Sequence, residues 1–241
     1  MPPTGDRAVS SDPRIDAGLR AQAVESRRLL SSGARRLGWK AGFGTSAAMQ
    51  RLGIDAPLVG FLTDRTLLAD DELVSIAGWR SPLLEAEVAI RLGADVAPGA
   101  RREHVVAAIE AFGPAIELVD VGAADDVEEI LAGNIFHRHV ALGELRPPSD
   151  DMGPATARVD VVVDGRSVAT GADPSAHLGD LVDVVRRLAD QLPAADGLAA
   201  GDVVITGAAA AFPLAGGERV EVGLRGAGTV VVRVAERPPP A

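Results

Sequence analysis

Pro82-Leu83-Leu84-Glu85-Ala86-Glu87-Val88-Ala89-Ile90-Arg91-Leu92-Gly93 is an apolar run broken by two carboxylates. Strand side chains alternate between faces, so Glu85 and Glu87 project from one face and Leu84, Ala86 and Val88 from the other. The glutamates either wet the outer face of an amphipathic strand or share a cation, because like charges in a half-buried setting repel and need a positive partner. Downstream, Pro114-Ala115-Ile116-Glu117-Leu118-Val119-Asp120 repeats the pattern, with Glu117 isolated among apolar residues. Three such glutamates on buried strands suit a hard, oxygen-preferring ion such as Mg²⁺ or Mn²⁺, and the third tips the reading toward metal.

The 241 residues suffice for one sizeable domain with a buried core. The chain has no cysteine, which excludes disulfides, thiolate zinc sites and cysteine nucleophiles. A net charge of −10 argues against nucleic acid or an anionic membrane as partner and leaves small molecules and protein subunits. No apolar run spans a bilayer, and the first residues lack the apolar core of a signal peptide, so the expected location is cytoplasmic.

Residues 1–12 are polar and Pro-rich and read as disordered. Residues 13–75 are expected to form a small N-terminal α/β lobe and 76–236 the main domain. A helix capped by Asp12 with Pro13 in its first turn runs to Gly33, and a short strand carries Lys40 between Gly38 and Gly42. By itself that lysine reads as one that snorkels to water. A short helix spans 45–52, strands span 57–62 and 73–76, and a helix spans 103–112, ending at Gly113-Pro114. His137 and His139 would share a strand face; without further ligands nearby they read as surface residues rather than a zinc pair. Residues 158–171 form a hairpin around Asp164-Gly165, a long amphipathic helix starts at Pro174, and the last third is a β meander, with 208–211 as a loop. The pattern is a β-rich α+β fold with mixed sheets.

Several segments in order resemble the 2-oxo-4-pentenoate hydratase branch of the fumarylacetoacetate hydrolase superfamily: Gly38-Trp39-Lys40-Ala41-Gly42, residues 52–57, Glu85-Ala86-Glu87-Val88-Ala89, residues 114–120, Gly133-Asn134, Leu178-Gly179 and residues 200–207. The resemblance implies a β-roll of the type of that family's C-terminal domain, a homo-oligomer or a complex with a paralogous enzyme, Mg²⁺ or Mn²⁺ on Glu85, Glu87 and Glu117, and Lys40 in the active site. It also implies a small 2-oxo acid substrate, whose carboxylate and keto oxygens chelate such an ion. Asn134, Ser175 and Thr206 are candidates for substrate binding; Asn134 equally fits a turn, Ser175 a helix cap and Thr206 a sheet closure.

The chain departs from the hydratases at several positions. It has Leu58 where they carry an acid, Gly133 before Asn134 where they have Asp, Val121-Gly122 where an Arg and a Trp follow the third glutamate, and Asp173-Pro174 in place of His-Pro. The superfamily's carbon-carbon hydrolases place a His-Glu pair in an N-terminal lid, whereas the first histidine here is His104. The expected activity is therefore a metal-dependent lyase, hydratase or decarboxylase. A diverged carbon-carbon hydrolase or tautomerase, or a non-catalytic partner subunit, stands as the alternative.

Overall fold

Asp12 accepts a hydrogen bond from the Arg14 N–H and caps helix α1, Pro13–Ser31. A computed structural model describes residues 12–193 and 196–236, so the expected disorder of residues 1–11 lies outside it. Strand β1, Arg36–Gly42, is followed by α2, Ser46–Leu52, which Thr45 caps and Gly53 ends in a left-handed turn. Next come β2 (Leu58–Thr63), β3 (Leu67–Leu68), β4 (Glu72–Val74), β5 (Pro82–Leu92), α3 (Arg102–Ala108), β6 (Ile109–Asp120), α4 (Val127–Ala132) and β7 (His137–Leu142). The remainder is β8 (Val159–Val163), β9 (Arg166–Ala172), α5 (Ser175–Leu178), α6 (Leu181–Gln191), β10 (Val203–Ile205), β11 (Ala210–Pro213), β12 (Arg219–Leu224) and β13 (Gly228–Val234).

The strands form two mixed sheets in an α+β fold. The first runs β2-β1-β10-β5-β6-β7-β3, with β11 also paired to β5; the second runs β4-β13-β12-β8-β9. The two sheets meet where β6 packs on β12 and β13. Residues on both sides of position 75 contribute to each sheet, since β1 and β2 join β10 and β5 while β4 pairs with β13.

Alternation along β5 sends Leu84, Ala86, Val88 and Ile90 into the main core. The opposite face carries Glu85 and Glu87 and continues into Ala89, which joins Leu62, Ala115, Val140, Val203 and Ile205 in a small separate apolar cluster. The carboxylates thus sit on a sheet face walled by hydrocarbon rather than on a wet one.

Three expected elements differ. The helix over 103–112 stops at Ala108, because Ile109–Phe112 extend the β5–β6 ladder, Phe112 opposite Ile90. Gly113-Pro114 therefore lies inside β6, and Gly143 gives it room: a Cβ at 143 would come within 2.7 Å of the proline ring. The long helix from Pro174 is broken at Gly179, whose φ of 76° no helix accommodates, and Asp180 caps a new helix by accepting from the Val182 N–H. The expected final meander divides, with β10 and β11, which contains Ala210 and Ala211, in the first sheet and β12 and β13 in the second.

Candidate metal centre

β5 and β6 are antiparallel, with Glu85 directly opposite Glu117, so two of the three glutamates are cross-strand neighbours and Glu87 lies one step along the same face. One carboxylate oxygen from each of Glu85, Glu87 and Glu117 lies within 4.8 Å of the others. β1 reaches this face across β10: Lys40 is level with Ile205, which is level with Ala89. The Lys40 ammonium ion-pairs with Glu117 Oε1 and donates to the Ile135 carbonyl at 3.1 Å. Only 1% of that lysine side chain is exposed, so it does not snorkel. Gly60 makes this possible, since a Cβ there would fall 2.7 Å from Lys40 Cγ.

Each fully buried glutamate divides its two oxygens. Glu87 Oε2 accepts from the Gly207 N–H at 2.7 Å, leaving Oε1 without a partner. Glu117 Oε1 takes Lys40 and His137, leaving Oε2 without a partner. Two buried carboxyl oxygens without a partner are costly to ionise unless a cation joins them, and the all-oxygen donor set suits a hard divalent ion. The residues fit the metal.

The charges agree. Burial, and then the charge of Glu117, push the Glu85 carboxyl up to about 7. Burial, with Glu117 and Glu85 beside it, raises Glu87 well above the ordinary range. Burial works against ionised Glu117 too, but Lys40 and His137 outweigh it and hold that carboxyl low. Without a cation the site holds a Lys40–Glu117 ion pair beside two carboxyls that burial and neighbouring negative charge make harder to ionise.

A family model described as fumarylacetoacetate (FAA) hydrolase C-terminal matches residues 39–235. The chain belongs to the fumarylacetoacetate hydrolase family. It is 30% identical over 214 residues to the 2-hydroxyhexa-2,4-dienoate hydratase of Comamonas testosteroni, spanning 86% of this chain and 81% of that one. It is 30% identical over 244 residues to 2-keto-4-pentenoate hydratase 2 of Dechloromonas aromatica, spanning 95% and 88%. The fold overlays the 4-oxalocrotonate decarboxylase from Pseudomonas putida G7, a structure complexed with magnesium and adipate, with a TM-score of 0.82 and 27% identity, over 93% of this chain and 87% of that one.

In this fumarylacetoacetate hydrolase family member, the side chains of Asn134 and Thr206 hydrogen-bond the backbone, with Thr206 next to Gly207, whose N–H bonds Glu87, and Asn134 next to Ile135, whose carbonyl takes Lys40. The Asn134 amide bonds the backbone of β2 at both ends, Oδ1 accepting from the Phe61 N–H at 2.9 Å and Nδ2 donating to the Phe61 carbonyl at 3.0 Å. Both ends of the amide are thus engaged in anchoring the turn. The turn needs an anchor, because Asn134, Ile135 and Phe136 all have positive φ, near 52°, 52° and 60°. Thr206 is fully buried and its hydroxyl donates to the Val88 carbonyl, closing the sheet. Ser175 opens α5, and its N–H donates to Asp173.

His137, expected at the surface, is instead buried against Glu117. Its side chain is 3% exposed, with Nδ1 2.7 Å from Glu117 Oε1, while His139 stacks on Trp79 at 6.1 Å between ring centroids. Neither histidine belongs to a group of three or more metal-type ligands among the described residues. The irregular register where β7 meets β6 separates their surroundings, and strict alternation cannot foresee that.

Proposed function

We propose that this protein is a divalent-metal-dependent lyase acting on a small 2-oxo acid, a 2-oxo-enoate decarboxylase or a 2-oxo-4-pentenoate-type hydratase. The observation that carries this is that two of the three clustered glutamates each keep one buried oxygen without a partner, Glu87 Oε1 and Glu117 Oε2. Glu85, Glu87 and Glu117 would hold Mg²⁺ or Mn²⁺. A bound divalent ion supplies electrophilic stabilisation of the negative charge that develops on the substrate oxygens.

The protein's own groups supply the rest. Three carboxylates and a divalent ion sum to −1, and Lys40 brings the site to neutrality, which lets an anionic substrate approach. Two of the three Lys40 N–H bonds go to Glu117 and the Ile135 carbonyl. The third is free to hold the substrate carboxylate or to deliver a proton from Nζ to carbon, the closing step of either reaction. The apolar cluster of Ala89, Ala115, Val140 and Ile205 keeps water from the far end of the same sheet face. Leu58, standing where the hydratases carry an acid, is fully buried. That favours decarboxylation, which needs no base to activate water.

Titration calorimetry of Mg²⁺ into the chelator-treated protein, with and without oxalate as an enolate mimic, tests the site. Binding that tightens with oxalate and disappears in Glu85→Ala is expected; binding indifferent to that substitution overturns the assignment. Incubation of the metal-loaded protein with 2-oxo-enoates then separates the reactions by mass, through loss of carbon dioxide or gain of water. Metal binding with neither product would instead assign a supporting subunit for a paralogous enzyme. The family resemblance also implies a homo-oligomer, which light scattering would report.

A further inference from the structure

We propose that His137 and Thr66 are positioning residues that hold Glu117 to a single metal-facing oxygen and so bias the site toward Mg²⁺ over the larger Ca²⁺. This rests on the metal-site reading above.

The His137 ring is gripped at both nitrogens from separate parts of the chain. Nδ1 lies 2.7 Å from Glu117 Oε1, and Nε2 lies 2.9 Å from Thr66 Oγ1, which comes from the single helical turn Asp64–Thr66 that follows β2. With the Nδ1 hydrogen donated to the carboxylate, Nε2 accepts from the Thr66 hydroxyl. The hydroxyl shares its one hydrogen between that nitrogen and the Thr63 carbonyl, 3.1 Å from Oγ1, which keeps it beside the ring. A buried ring held at both ends cannot turn away from Glu117.

The consequence for Glu117 is geometric. Lys40 and His137 both engage Oε1, so Oε2 is the oxygen left unengaged for an ion held with Glu85 and Glu87. A carboxylate tied in this way cannot offer both oxygens to one ion. Mg²⁺ requires compact octahedral coordination, usually one oxygen per carboxylate, whereas Ca²⁺ takes more ligands and accepts carboxylates through both oxygens. Hydrogen bonds from residues behind a metal ligand typically set affinity by 10- to 100-fold.

The test is calorimetric titration of Mg²⁺ and Ca²⁺ into the chelator-treated full chain, wild type, His137→Ala, His137→Asn and Thr66→Val, with metal-free thermal melts of each. In His137→Ala the Mg²⁺ affinity is expected to fall about 10-fold or more and the Ca²⁺ affinity by less, so that the Ca²⁺:Mg²⁺ ratio rises. His137→Asn, whose amide N–H can stand near the Nδ1 position, recovers most of the Mg²⁺ affinity, and Thr66→Val falls between. Unchanged Mg²⁺ affinity, or equal losses for the two ions, overturns the proposal, because a merely structural histidine would not alter the ratio. Should His137→Ala fail to fold, the asparagine and Thr66 variants decide by the same ratio. Wild-type protein that binds neither ion fails the metal reading itself, an outcome distinct from wild type binding Mg²⁺ while the variants match it.

Discussion

Lys40 and Glu117 form an ion pair with almost no access to water. Removing one partner of a buried pair strands the other, at a cost of about 3–5 kcal/mol. Lys40→Met is therefore expected to lower stability by that order in urea melts, and Lys40→Met with Glu117→Gln to recover part of the loss, because the double variant leaves no uncompensated charge. Under the proposed function Lys40 would also be a proton donor, whose loss costs typically 10²–10⁴-fold in rate, and the double variant is not expected to regain it. Glu85 and Glu87 make a second prediction. Both carboxyls are raised, Glu85 to about 7, so the metal-free fold holds their protons more tightly than the unfolded chain does. Their contribution to stability is present below about pH 4.5 and lost as pH rises through about 7 and beyond. Metal competes with those protons, so stabilisation by Mg²⁺ should grow over the same window. Melts at pH 6 and pH 8 with and without Mg²⁺ check this, and a metal-induced shift larger at pH 6 would contradict it.

At the scale of elements, the centre depends on backbones that come unusually close. Gly60 in β2 lies against the Lys40 stem and the Asn134 amide, and a methyl group at that position would fall 2.7 Å from the first and 2.9 Å from the second. Gly60→Ala is expected to cost about 1–3 kcal/mol and to lower activity by displacing Lys40, readable as a fall in kcat together with a lower melting temperature. The strands that carry the glutamates were legible because period-two alternation is local: Glu85, Glu87 and Glu117 each stand alone in an apolar run. Helix α1 was legible for the same kind of reason, through Asp12 and Pro13. Partners across long separations were not. The bonds of Asn134 to Phe61 and of His137 to Thr66 cross 73 and 71 positions, and only the folded sheets bring them together. The break at Gly179 was hidden because the apolar spacing of α6 continues smoothly from the residues before it.

At the scale of the whole molecule, the two sheets share one core, and the first is completed out of chain order. β10, Val203–Ile205, pairs in parallel with β1 on one side and antiparallel with β5 on the other. The family and the metal-type cluster were readable from pieces in order along the chain, but this crossing was not, because parallel neighbours give no local turn signal. The crossing also bears on how the protein is made. During synthesis β1 and β5 leave the ribosome long before the strand that belongs between them, so Lys40 and Glu87 have no fixed separation until residue 205 and the Gly207 amide have emerged. Until then the nascent chain carries acidic, apolar strands with open edges. Truncation before Val203 is therefore expected to leave β1 and β5 with open edges and to send the product into aggregates, which its soluble fraction on expression would report.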